Sequence, residues 1–577
     1  MRTILRPALT GLLAATLFIG CTHSRSGTDD AVTRVENGAT SNAANEVAQG
    51  APRSTETSEA LVDLSLSGAL APSSASRYLA KARGVRGEIG FVEPEWNTED
   101  YSAIEENGFR LTKDHPLSTF SIDVDAASYA NLRRFIHDGM AAPKDAVRIE
   151  EMVNYFSYDY PAPEGDVPFS VVTEVGPAPW NAAHRIVHIG LQGEKIDLVG
   201  RPASNLVFLL DVSGSMDEPD KLPLLKKAFR MLVGELGEND RVSIVVYAGA
   251  AGMVLEPTRG DRAEQIVEAL ERLQAGGSTA GAEGIQLAYS TAAAQFIEGG
   301  INRVILATDG DFNVGVSSDA ELMRLIEEKR QTGVFLTVLG FGTGNIKDNK
   351  METLADHGNG NYYYIDSELE ARKVLVSELG GTLHTIAKDV KLQIEFNPAL
   401  VSAYRLIGYE NRMLSPEDFA DDRKDAGELG AGHTVTALYE VIPVGADSPT
   451  AVRGQGDLRY QSGGLTTTAA TGELMHLALR YKEPNGTASR LIERPVRAED
   501  SRSIERTSDD FRFSAAVAAF GMILRGSEHK GDSTVPGVLA LSKGSLGADV
   551  EGYRADFVRL VEAYARLRDG HPDVAGS

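Results

Sequence analysis

The 577-residue chain contains one cysteine, Cys21. An intrachain disulfide is therefore impossible, and so is a zinc site built from several thiolates. Positive charge is also in short supply. Against 82 Asp and Glu stand 57 Lys and Arg, a net charge of −25. That balance excludes the cationic surface a nucleic-acid partner requires and suits divalent cations. The signatures of phosphate, dinucleotide and serine-elbow chemistry are missing: no P-loop, no dinucleotide fingerprint and no GxSxG occurs. Between Thr22 and Tyr78 there is no aromatic residue. A stretch so poor in apolar side chains cannot offset the entropy of ordering, which predicts a disordered tether over 21–88.

What is present begins with the first twenty residues. MRTILRPALTGLLAATLFIGC has two arginines, Arg2 and Arg6, then an apolar stretch from Ala8 to Gly20 that is too short to span a bilayer. The Gly20-Cys21 junction resembles the bacterial lipobox. The resemblance implies a lipoprotein signal peptide over 1–20 and a lipidated Cys21 as the mature N-terminus. Thr22 rather than Asp after the cysteine implies sorting to the outer membrane, so the expected location is the cell envelope, on a lipid anchor.

A chain this long exceeds one core, and its patterning changes along its length. The region 89–200 mixes elements. PLSTFSIDVDAASYANLRRFIHDGM reads as a strand then an amphipathic helix, and VPFSVVTEVGPAPWN with HRIVHIGLQGEKI as two strands around a Pro-containing turn. From 201 to 385 the apolar runs LVFLL, RVSIVVYAG, RVILAT, VFLTVLGFG and NYYYID alternate with helical stretches. Continuous apolar strands separated by helices predict an α/β domain with a doubly wound parallel sheet. From 386 to 577 the period returns to two, predicting a β-rich domain. Two helices close it, from about Asp509 to Arg525 and from about Val550 to Arg568.

In an open α/β sheet, ligands gather beyond the carboxyl ends of the strands. The run LVFLL leads into Asp211, with Ser213 and Ser215 alternating in the loop behind it. GGSTAGAEG offers Thr279 ahead of a helix, and VILATDGDFNVG ends its strand at Asp309. Three hydroxyls and two carboxylates make a hard-oxygen set suited to Mg2+ or Mn2+, and less neatly to Ca2+.

In order and in strand context, Asp211-x-Ser213-x-Ser215, Thr279 and Asp309 resemble the metal-ion-dependent adhesion site of von Willebrand factor type A domains. The flanks, HPLSTFSIDVDAASYANLRRF with DAVRIEEMVNYF and the β-rich region from 388, resemble those of bacterial von Willebrand factor A lipoproteins. The resemblance implies that the Ser213, Ser215 and Thr279 hydroxyls bind the metal and that Asp211 and Asp309 act directly or through water. It implies one coordination position left for a Glu or Asp of a protein partner, and so a non-enzymatic binding protein. Two alternatives stay open: a metal-dependent hydrolase of the envelope, and a scaffold whose metal is purely structural.

Three other signals read as structure. Asp123 and Asp125 in FSIDVDAAS resemble a phosphatase Asp-x-Asp but lack the Thr or Val that should follow, and read as a turn-and-cap cluster opening a helix. His184 and His188 fall on one strand face with no third zinc ligand. Gly340-Phe341-Gly342-Thr343-Gly344 lacks a Lys-Ser/Thr ending and reads as a loop.

Overall fold

The computed structural model describes residues 99–570, apart from 196–201, 278–280, 311, 313–318, 379–383, 451, 453, 455–463 and 485. Cys21, the expected tether and Thr279 lie outside the described residues. Among the described residues, no helix is long and apolar enough to cross a membrane.

The α/β domain is a six-stranded sheet in the order Tyr362–Ile365, Phe335–Phe341, Ile301–Thr308, Ser204–Asp211, Arg241–Tyr247, Ala251–Arg259. The first five strands are parallel. The edge strand Ala251–Arg259 is antiparallel, so the expected all-parallel sheet is in fact mixed. The run LVFLL is apolar throughout because both faces of its strand are covered. Leu206, Phe208 and Leu210 pack with Leu225 and Phe229 of helix Leu222–Val233. Val207 and Leu209 pack on the other side with Ile285 and Ala288 of helix Gly281–Ala294. The chain leaves Ser204–Asp211 for Arg241–Tyr247 on one side and later returns to Ile301–Thr308 on the other. The order of winding therefore reverses where the first strand ends, which is where a crevice opens in such sheets.

The sequence on the two sides of this domain is woven together. One antiparallel sheet runs Arg110–Leu111, Val401–Ile407, Thr434–Pro443, Asn181–Gly193, Phe169–Ala178. A second runs Met413–Leu414, Leu117–Ser121, Thr385–Phe396, Glu473–Lys482, Ser489–Arg497, with Gly427–Gly430 also paired to Thr385–Phe396. Each sheet thus takes strands from before and after the α/β domain. Their inner faces share one core that includes Phe120, Val187, Leu392, Tyr404 and Tyr439. The outer face of the first sheet contributes Ile186, Ile407 and Leu438 to a helical core. There they meet Ala127–His137, Ile149–Asn154, Asp509–Arg525, Val535–Lys543 and Tyr553–Gly570.

Arginine ion pairs tie this body to the α/β domain. Arg412 meets Asp356 at 2.6 Å, Glu352 at 3.0 Å, Asp123 at 3.1 Å and Asp125 at 3.3 Å. Asp125 also accepts the Tyr362 N–H at 2.7 Å, on the edge strand of the α/β sheet. The helix that follows Asp125 has Ala126 at its N-cap and no side-chain cap. The expected turn-and-cap role is therefore corrected: the two acids bind across to another part of the chain.

Candidate metal centre

Asp211 is the last residue of the central strand and is fully buried. Its Oδ1 accepts the Ser213 N–H at 2.8 Å, which turns the chain back over the strand end. Its Oδ2 accepts the Thr308 hydroxyl at 3.4 Å from the neighbouring strand. Burial pushes Asp211 up to about 6; the Ser213 N–H opposes the shift and the nearby Asp309 charge adds to it. Ser213 is buried and Ser215 exposed, their hydroxyl oxygens 3.0 Å apart.

The second carboxylate, Asp309, follows the strand Ile301–Thr308 and is 1% exposed. Gly310 behind it has φ +107°, and a Cβ there would lie 2.3 Å from the Asn345 carbonyl oxygen, so the TDG turn admits only glycine. The third segment reaches the same place. Gly214 N–H bonds to the Gly277 carbonyl at 3.1 Å and Gly276 N–H to the Val212 carbonyl at 2.8 Å. The loop leading to Thr279 is thereby fastened to the Asp211–Ser215 turn.

One residue here was not anticipated. Lys221, 7% exposed, sends its ammonium into the site, 3.1 Å from Asp309 Oδ2 and 3.0 Å from the Ser215 carbonyl oxygen. Gly342 makes this possible, since a Cβ there would stand 2.3 Å from the lysine Cε. Of the glycine-rich run expected as a loop, Gly340 and Phe341 end the strand Phe335–Phe341 and only the residues from Gly342 on leave it, where Gly342 clears the lysine stem. Nothing in the spacing of DEPDKL separates Lys221 from an ordinary surface lysine, so only the fold reveals it.

The donor set fits a hard divalent cation on an observation beyond residue type. Asp309 Oδ1 is buried and has no hydrogen-bond partner among the described residues. An unpaired buried carboxylate oxygen is costly, and Asp309 is near enough to the Asp211 carboxylate for its charge to act on it. No three His, Cys, Asp or Glu side chains group as metal ligands among the described residues, so any ion held here would rest mainly on hydroxyls. The histidine pair gives no zinc site. His184 binds Glu440 and Ser448, whereas His188 Nε2 lies 3.0 Å from the Tyr160 hydroxyl.

Comparison with known proteins matches three stretches of the chain. Residues 95–188 match the family model "von Willebrand factor", 205–378 match "von Willebrand factor type A domain", and 381–567 match "Uncharacterized protein YfbK, C-terminal". The chain is 42% identical to YfbK of Escherichia coli K12 over 486 residues, covering 83% of this chain and 82% of that protein. It is 30% identical over 189 residues to sll0103 of Synechocystis, covering 33% of this chain and 44% of that protein. The solved von Willebrand factor type A structure from Catenulispora acidiphila aligns at 18% identity with a TM-score of 0.38, covering 70% of this chain and 91% of that one.

Proposed function

Because this chain belongs to the family of bacterial von Willebrand factor type A domain proteins that includes YfbK, we propose that it is a lipid-anchored envelope protein that binds a protein partner through a divalent cation at Asp211, Ser213, Ser215, Thr279 and Asp309. The observation that carries this reading is the buried Asp309 Oδ1 at the switch point of the sheet, without a hydrogen-bond partner among the described residues. A bound Mg2+ or Mn2+ would supply a Lewis-acidic point able to take a partner's Glu or Asp carboxylate. The chain's own part is to fix the oxygens. The Ser213 N–H holds Asp211, the Gly276 and Gly277 bonds fasten the turn, and Gly310 sets the angle of Asp309. With only two carboxylates offered, the charge of a divalent ion is not exceeded, so an acidic ligand remains welcome.

The test is capture of a partner from envelope extract by the whole protein, with Mg2+ and with chelator, alongside Asp211→Ala. Capture should disappear with chelator and with Asp211→Ala, while both proteins stay folded, because strand burial drives the core. Calorimetric affinity for Mg2+ should fall strongly in Asp211→Ala. Equal affinity in the two proteins would refute the site. Capture by a metal-free mutant would remove the metal from recognition.

A further inference from the structure

A second constellation stands apart from the metal centre and has the geometry of acyl-transfer chemistry. We propose that Ser448, His184 and Glu440 form a nucleophilic site that accepts the acyl group of small carboxylic esters. The three come from adjacent strands and a loop. Glu440 lies on Thr434–Pro443, His184 on the neighbouring strand Asn181–Gly193, and Ser448 in the loop eight residues beyond Glu440. His184 Nδ1 is 2.5 Å from Glu440 Oε1, and His184 Nε2 is 2.7 Å from the Ser448 hydroxyl. The carboxylate can only accept, so Nδ1 carries the proton and Nε2 presents a lone pair to the serine. The other polar contact of Nε2, the Asn181 amide nitrogen at 3.2 Å, is also a donor and agrees with that tautomer. The Thr450 N–H donates to Ser448 Oγ at 3.2 Å, which leaves the hydroxyl proton directed at the imidazole.

Each link in this chain is held from behind. Arg405 stands opposite Glu440 in register, and its Nε reaches Oε2 at 2.8 Å, so Oε1 is reserved for His184. The Phe109 ring packs edge-on to the imidazole with centroids 5.4 Å apart. His184 is 1% exposed, whereas Ser448 is half-buried between the exposed Asp447 and Pro449. Ser448 is thus the more exposed member and the base is buried behind it, the order in which acyl transfer requires them.

The step balances within these groups. Ser448 Oγ bonds to the ester carbonyl carbon while its proton passes to His184 Nε2, and the carbonyl electron pair moves onto oxygen. Collapse breaks the bond to the alcohol oxygen, which takes the proton from Nε2 and leaves as the alcohol. Water then attacks the Ser448 ester with His184 again as base, the bond to Ser448 Oγ breaks, Oγ takes the proton back from Nε2, and the carboxylic acid is released. Arg405 shares the charge of Glu440 and weakens its support of the imidazolium, with Glu106, 3.7 Å from that guanidinium, offsetting part of the effect. Slow turnover and a long-lived acyl intermediate are expected.

The experiment treats the whole protein with a fluorophosphonate probe and with p-nitrophenyl acetate, and reads the Ser448 peptide by mass spectrometry. Ser448 should be labelled, the label should be lost in Ser448→Ala, and the rate should fall at least tenfold in His184→Gln. Should the buried His184 variant misfold, Ser448→Cys keeps the question open to measurement. Its thiol should react with iodoacetamide at least tenfold faster than an unperturbed cysteine, because His184 would draw off its proton. An unlabelled Ser448, or ordinary thiol reactivity in the Ser448→Cys variant, shows a structural network and overturns the proposal. Labelling unchanged in a folded His184→Gln variant overturns the base.

Discussion

Lys221 is a fixed positive charge 3.1 Å from Asp309 and 7% exposed. A divalent ion placed among the same oxygens would meet that ammonium at close range in a medium that screens poorly. The lysine therefore does two things. Without metal it neutralises one buried carboxylate and keeps the strand ends together. With metal it opposes the ion. Lys221→Met should tighten Mg2+ binding by about tenfold or more, an effect of about 1.4 kcal/mol or above, measured by calorimetry against the wild type. The same variant should melt earlier without metal and recover with it. Unchanged or weaker Mg2+ binding in a folded Lys221→Met would show that the ammonium does not compete for the site. Asp211, Ser213, Ser215 and Asp309 were all legible from strand context and residue type. Lys221 was not, because its role depends on a glycine 121 positions away that makes room for its stem.

At the scale of the element, the strand Asn181–Gly193 shows what burial does to a titrating side chain. His188 is 1% exposed and bonds to Tyr160, whose hydroxyl meets Thr436 at 2.7 Å. Burial pushes its pKa down to about 4, with the Glu174 charge opposing. The folded state then refuses a proton that the unfolded chain takes up below about 6.5. Stability from this residue is present above that pH and is lost as the pH falls towards 4. Between pH 7 and pH 5 the wild type should lose about 2 kcal/mol more than His188→Gln. Urea unfolding at the two pH values measures the difference, and parallel losses would show that His188 does not titrate across folding. Long periodic elements were readable: the helix at Asp509–Arg525 falls where its apolar pattern puts it. Several elements with weak local patterns were missed. Ala251–Arg259 carries Gly252 and Pro257, Val535–Lys543 carries Pro536 and Gly537, and Asp348–His357 is mostly polar, with Met351, Leu354 and Ala355 buried. Weak local patterns like these are set by the neighbours they pack on.

Over the whole molecule, the α/β domain is an insertion held between halves of one β-sandwich and helical body. Strand Leu117–Ser121 pairs with Thr385–Phe396, and Asn181–Gly193 with Thr434–Pro443, so the chain leaves that body and returns to it. Arg412 with Asp356 and Glu352 fastens the two parts through partly buried ion pairs, and Arg148 with Glu352 at 2.7 Å through a buried one. Breaking one partner of such a pair leaves a buried charge uncompensated. The proposed anchor lies at the far end of the chain. Mass spectrometry of the membrane fraction should find Cys21 diacylated and N-terminal, two acyl chains being enough for stable attachment where one is marginal. A mature N-terminus at any other residue would remove the anchor from the proposal.

The sequence by itself determined the α/β alternation, the acids and serine at the strand ends, and the strand content of the flanks. These follow from local rules: periodicity reports which faces are buried, and an apolar run that stops at an acid marks a strand end. The tertiary structure decided what touches what across hundreds of residues. It placed Lys221 against Asp309, bound Asp123 and Asp125 to Arg412 instead of to a helix start, and brought Ser448 to His184 from 264 positions away. No periodicity encodes such pairings. They exist because strands from both sides of the inserted domain must close one core, and the side chains at that closure meet only when it forms.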